Sequence, residues 1–174
     1  MGVALVSRRG TEYGTLFKML MNNELTEITS EMLDGITSIR DNAFKNNTYI
    51  LNVTIPNSVI SIGSSAFYGC TALTNITIGQ NVTSIGSGAF YGCTALTNIT
   101  IDQNVTSIGI AAFYGCTLLA SLTVQAVTPP TLGSSALSST SENLAIYVPA
   151  NSVDTYKAAS GWSDYASKIQ AIQN

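Results

Sequence analysis

The sequence contains no histidine. That removes the commonest general base and the commonest metal ligand at once. Charge is also scarce: charged residues are 10% of the 174, and the net charge is −3. Its placement is more informative than its sum. Between Lys45 and Glu142 the only charged residue is Asp102. A nucleic-acid surface needs a basic stripe to displace counterions, and an anionic membrane surface needs basic clusters; the sequence has neither. Hydrophobic residues make up 45% of the chain, yet no run of eighteen apolar residues occurs. A membrane-inserted helix is therefore not expected. The opening Met1-Gly2-Val3-Ala4-Leu5-Val6-Ser7-Arg8-Arg9 does not read as a secretory signal, because its apolar stretch is short and the arginines follow it.

What the sequence does have is repetition. Val59-Ile60-Ser61-Ile62-Gly63 returns as Val82-Thr83-Ser84-Ile85-Gly86 and as Val105-Thr106-Ser107-Ile108-Gly109. Ala66-Phe67-Tyr68-Gly69-Cys70 returns at Ala89–Cys93 and Ala112–Cys116, and Leu73-Thr74-Asn75-Ile76-Thr77-Ile78 at Leu96–Ile101 and, more loosely, Leu119–Val124. Each step is 23 residues without insertion. A degenerate copy precedes these at residues 36–55, and a shifted one follows at 132–148. The count is about five coils. Within one coil, Leu73, Ile76 and Ile78 alternate with Thr74, Asn75 and Thr77, the mark of a half-buried strand. Gly79-Gln80-Asn81 is turn chemistry, Val82 and Ile85 form a second apolar edge, and a compact turn places Ala89 and Phe90 inward. One coil cannot cover its own apolar face, so coils stack with strands ~4.8 Å apart in parallel sheets. Equivalent residues then form ladders: Phe44, Phe67, Phe90 and Phe113 inside; Thr54, Thr77, Thr100 and Thr123 outside.

The Ile-Gly-x-x-Ala-Phe-Tyr-Gly-Cys-x-x-Leu-x-x-Ile-x-Ile spacing, held at 23 residues, resembles the BspA-like leucine-rich repeats first known from bacterial surface antigens. The resemblance implies a horseshoe or curved-rod solenoid at the cell surface or secreted, associated with adhesion to host proteins or other cells. The layout of a short acidic lead before Thr37-Ser38-Ile39-Arg40-Asp41-Asn42-Ala43-Phe44 is similar to BspA-like proteins of phages and prophages. That gives the alternative expectation, a virion-associated structural or host-recognition protein.

The expected organisation is an N-terminal cap or lead over 1–35, the solenoid over 36–150 and a helical cap over 151–174. In the last segment Ser152 is placed to cap a helix, and Val153, Tyr156 and Ala159 have helical spacing. Trp162, Tyr165, Ile169 and Ile172 continue that pattern, with the sole Trp as a cap anchor. In the lead, Leu16–Met21 reads as a short helix and Leu25–Ile28 as a first strand.

Four columns carry the candidate chemistry. Cys70, Cys93 and Cys116 would serve as a redox or metal site only if they converged, and stacked thiols supply no tetrahedron. An odd count also leaves one thiol outside any disulfide, so the column reads as small buried hydrophobes. Tyr68, Tyr91 and Tyr114, with Lys45 in the same column, form either an amphipathic binding strip or packing over the Phe ladder. Asn52, Asn75 and Asn98 with Thr54, Thr77 and Thr100 form the third and fourth, on the strand face where leucine-rich repeats commonly bind. The recurring Asn-x-Thr triplets follow from the repeat and read as strand chemistry. Glu24, Glu27, Glu31, Asp34 and Asp41 read as a solvated acidic cap, and Asp102 as a turn residue where the previous repeat has Gly79. No nucleophile, base and orienting group converge, so no enzyme and no cofactor are expected. The expected partner is a protein or a glycan.

Overall fold

The computed structural model describes residues 25–173. The expected helix at Leu16–Met21 lies outside them, as does Glu24. Twelve short strands run in chain order: β1 Glu27–Ile28, β2 Ser38–Ile39, β3 Asn52–Thr54, β4 Ser61–Ile62, β5 Asn75–Thr77, β6 Ser84–Ile85, β7 Asn98–Ile101, β8 Ser107–Ile108, β9 Ser121–Val124, β10 Thr131–Leu132, β11 Ala145–Val148 and β12 Ile169–Ala171. All pairings are parallel and in register with the repeat: Asn52 faces Asn75, Ser61 faces Ser84, and Asn98 faces Ser121. The chain is a right-through stack of coils, each contributing one strand to either of two faces and one tight turn to a third.

The third face is as regular as the sheets. In it the backbone N–H of Phe44, Phe67, Phe90 and Phe113 each donates to a carbonyl one coil on, at 2.7, 2.7, 2.7 and 2.8 Å. The phenyl rings stack beneath, with centroids 5.0–5.3 Å apart. Leu137 continues the column in the last coil and is buried. The second strands, β2, β4, β6, β8 and β10, form one unbroken five-stranded sheet. β4, β6, β8 and β10 are each followed by glycine, where β2 has Arg40, because neighbouring coils nearly touch there: a Cβ on Gly86 would lie 2.6 Å from the Gly63 carbonyl carbon.

The C-terminal segment closes the stack. Helix α1, Val153–Ala158, turns Tyr156 into the core, where its hydroxyl donates to the Ala126 carbonyl at 2.7 Å. Trp162 is fully buried, donates from Nε1 to the Pro130 carbonyl at 2.7 Å, and meets Tyr156 edge-on. The anchor reading of this Trp therefore holds. Two details differ from expectation. Ser152 sits before α1 but makes no capping hydrogen bond; its hydroxyl donates to Asn151 Oδ1. Ile169–Ala171 is a strand, not a helix, and pairs with β11 through Ile146 and Ile169. The unpaired edge of β11 offers backbone hydrogen bonds that a further helical turn would leave unmade.

Candidate functional site

The first-strand face is not continuous. It consists of a three-stranded sheet, β1-β3-β5, and a four-stranded sheet, β12-β11-β9-β7. The two meet between β5 and β7, strands of equivalent sequence one coil apart. The Thr74 N–H donates to the Leu51 carbonyl at 2.9 Å, and the Ala120 N–H to the Thr97 carbonyl at 2.8 Å. Between Thr97 and Thr74 that rung is absent. Cα atoms of β5 and β7 still come within 8 Å. The gap is a seam, closed again beyond the strands where Asn104 Nδ2 donates to the Gln80 carbonyl at 2.8 Å.

One sequence difference between the two coils coincides with the seam. Gly79 ends β5's coil against Pro56, so closely that a Cβ would fall 2.6 Å from the Pro56 carbonyl carbon. Asp102 takes that place in the next coil, and its Cβ cannot follow Gly79's path. A second exchange works in the same direction. The Gln80 N–H donates across coils to Asn57 Oδ1 at 2.8 Å, whereas the Gln103 N–H donates within its own coil to Asp102 Oδ1 at 2.7 Å. An inter-coil tie has become a local one. Gln125, next in the column, also carries a Cβ, yet its N–H still reaches the Ile101 carbonyl at 2.9 Å. A Cβ in this column is thus compatible with a paired junction, and what distinguishes Asp102 is the local bond it makes to the Gln103 N–H.

A cleft of about 680 Å³ lies on the strand face, running from Ser30 and β3 across β5 and the seam to β7. Its floor includes Ile76 and Ile78, 9% and 7% exposed, against 2% and 0% for the equivalent Ile99 and Ile101. Its walls carry Thr54, Thr77, Asn98 and Thr100, four of the strand-face residues singled out from the sequence, together with Asn57, Gln80 and Asp102. Asn52 and Asn75 are not in it. Asn75 Nδ2 donates to Asn52 Oδ1 at 2.8 Å and to its neighbour Thr74 Oγ1 at 3.2 Å, while Asn98 Nδ2 keeps only the neighbour bond, to Thr97 Oγ1 at 3.1 Å. The amide ladder thus breaks at the same place as the sheet. Sequence reasoning passed over Asn57, Ile76, Ile78 and Gln80; the signal available was the Gly79-to-Asp102 exchange.

The tyrosine column lies on the turn face, apart from the cleft. Tyr68, Tyr91 and Tyr114 stack face to face at 4.6 and 4.9 Å. Lys45 Nζ lies 5.0 Å from the centroid of Tyr68, closing that end with a cation–π contact. Ring faces are therefore occupied by one another, and the partly exposed column offers outward edges and hydroxyls.

The cysteine column is buried and unbridged. Each thiol donates to a Phe carbonyl of the preceding coil: Cys70 to Phe44, Cys93 to Phe67 and Cys116 to Phe90, at 3.1–3.2 Å. Burial pushes the Cys70 and Cys116 thiols up to about 12, and Cys93, flanked by both, higher still. A thiol held protonated in this way is a poor nucleophile and a poor metal ligand. The column acts as a row of small packing groups with an inter-coil bond.

These features can be set beside known proteins. A family model described as BspA type Leucine rich repeat region matches residues 37–159 in 6 copies, where the sequence reading counts about five coils. The chain belongs to the BspA-type leucine rich repeat family. Among solved structures, a leucine rich repeat protein of T. pallidum is 28% identical, with a TM-score of 0.61 over 70% of this chain and 56% of that one. A leucine rich cell surface protein of Faecalibacterium prausnitzii A2-165 is 27% identical, with a TM-score of 0.60 over 84% of this chain and 35% of that one. The pneumococcal vaccine antigen PcpA, 18% identical with a TM-score of 0.52 over 84% of this chain and 42% of that one, shares the fold. The chain thus spans little more than half the length of the first of these proteins and less than half of the others. No curated protein matches the sequence. Leucine-rich repeats of this type generally serve protein binding, and among the described residues no helix is long and apolar enough to cross a membrane.

Proposed function

We propose that this BspA-type module is an adhesion or binding module of a bacterial surface, and that it takes a protein partner on its first-strand face. The observation that carries this reading is the cleft at the β5–β7 seam. It interrupts an otherwise uniform Thr and Asn surface with a recess that combines an aliphatic floor, neutral hydrogen-bonding walls and one carboxylate. Its surface is about as polar as it is apolar, which suits a partner held by hydrogen bonds together with aliphatic contact. The tyrosine column supports the reading less, because its ring faces are stacked on each other. The resemblance to a leucine rich cell surface protein supports the placement at the surface.

The test is a binding screen of the purified chain against host surface and matrix proteins and a glycan panel. Thr77→Arg with Thr100→Arg places bulk and charge on the strand face; Tyr91→Ser breaks the tyrosine stack. The expected result is a protein ligand whose binding is lost in the double arginine variant and kept in Tyr91→Ser, both variants retaining the native circular dichroism spectrum. Binding that survives the double arginine variant, or a ligand that is a glycan alone, would overturn the assignment.

A further inference from the structure

Asp102 is the one charge between Lys45 and Glu142, and it lines the cleft. One carboxylate oxygen accepts the Gln103 N–H at 2.7 Å. Among the described residues no other that lines the cleft is charged: the rest are Ser30, Thr, Asn, Gln, Gly, Pro and Ile. Among the described residues the half-buried carboxylate therefore has no counter-charge beside it in the recess. Beside it, Ile76 and Ile78 show aliphatic surface that their counterparts Ile99 and Ile101 do not.

Two features of the recess exclude other occupants. An inserted β-strand would need about 9.5 Å between its two neighbours. The Cα atoms of β5 and β7 approach within 8 Å, so the seam cannot be filled by strand addition. A pyranose ring usually docks on an aromatic face, and among the described residues no aromatic one lines the cleft. A long side chain that is apolar along its stem and cationic at its tip satisfies all three elements together: floor, walls and carboxylate.

We infer that the seam is a pocket for a single Arg or Lys side chain of a protein partner. The methylene stem lies on Ile76 and Ile78, and the cationic head pairs with Asp102. Arginine fits better than lysine, because its spare N–H groups can also bond the Thr77, Asn98 and Thr100 side chains. This deepens the protein-binding reading and rests on it. It also gives a role to Asp102, the residue that stands at the seam where the previous coil has Gly79.

The test uses N-acetyl-arginine amide as probe and N-acetyl-citrulline amide as its uncharged isostere, followed by amide chemical-shift perturbation on the full chain. Arginine amide should shift Gln80, Asn98, Thr100 and Gln103, weaken as salt is raised, and bind roughly fivefold or more tightly than citrulline amide. Asp102→Asn retains an acceptor for the Gln103 N–H and should reduce arginine amide to the citrulline level. Thr100→Lys, which supplies an internal cation, should do the same by a different route. Equal binding of the two amides, unchanged binding in Asp102→Asn, or shifts confined to the acidic N-terminal residues would each overturn the pocket. The two readings fail separately. A protein ligand found in the screen with no arginine response would leave the binding module and remove the pocket. An arginine response without any protein ligand would do the reverse.

Discussion

The second-strand sheet and the first-strand face are built from the same repeat, yet one is unbroken over five strands and the other is split. In the second-strand sheet every junction is sealed by a glycine, Gly63, Gly86, Gly109 or Gly133, that lets backbone lie on backbone. In the first-strand face the equivalent seal at Gly79 becomes Asp102. A stack of coils has no other contacts to compensate locally, since each coil touches only its neighbours. A single exchange at such a junction can therefore be felt along its whole length. The junction does not come apart, because the Phe and Cys columns and the glycine-sealed sheet hold the same two coils together on the other sides.

The strongest way to break that comparison is to weaken what holds the seam from behind. Phe90 stacks between Phe67 and Phe113 and is fully buried. Phe90→Ala should cost about 4 kcal/mol in urea unfolding, and should loosen both faces of the junction in hydrogen exchange. Next is Gly86→Ala, which forces a methyl into the sealed face beside the Gly63 carbonyl carbon. A loss of about 2 kcal/mol is expected, with faster exchange at Ser84 and Ile85; a loss under about 0.5 kcal/mol would mean the sealed face is not tightly packed.

The reverse experiment sharpens the contrast. Asp102→Gly should let β7 close onto β5. Amide protection at Thr97 and Ile99 should rise by about tenfold, and arginine amide binding should vanish. If protection there stays unchanged, Asp102 is not what keeps the strands apart.

The smallest effect at neutral pH lies in the cysteine column. Burial raises the Cys70 and Cys116 thiols from 9.0 to about 12. In the unfolded chain they would ionise first, so the unfolded state binds fewer protons above pH 9 and stability falls from there toward pH 12. Below pH 9 that contribution is fully present. The variant with Cys70, Cys93 and Cys116 all changed to Ser should keep the bonds to the Phe carbonyls and show a shallower alkaline fall. The native thiols should resist a thiol reagent at pH 8 until the protein is unfolded.

Most of the fold was legible because a repeat states its own register. Ladders of Phe, Cys and Ile follow from a fixed 23-residue step, and the buried Trp162 follows from the change in pattern after Pro149. The candidate site was legible only in part. Thr54, Thr77, Asn98 and Thr100 were marked as surface residues, but β5 and β7 share the same Asn-Ile-Thr run, and nothing in that run signals a seam. Asp102 read as a turn carboxylate. Its effect depends on how near Gly79 lies to Pro56 one coil earlier, which is a distance between coils and not a property of either segment. Ile169 failed for a related reason: its spacing from Tyr165 and Ile172 suits a helix, but the open edge of β11 supplied partners that the local pattern could not show.

By itself, the sequence determined the coil, its 23-residue period, which side chains face inward, and the neutrality of the surface, since each follows from alternation and repetition along the chain. Tertiary structure alone decided where adjacent coils seal and where they part. That choice rests on backbone approaches of a few ångströms between residues 23 apart, which no single segment of the sequence states.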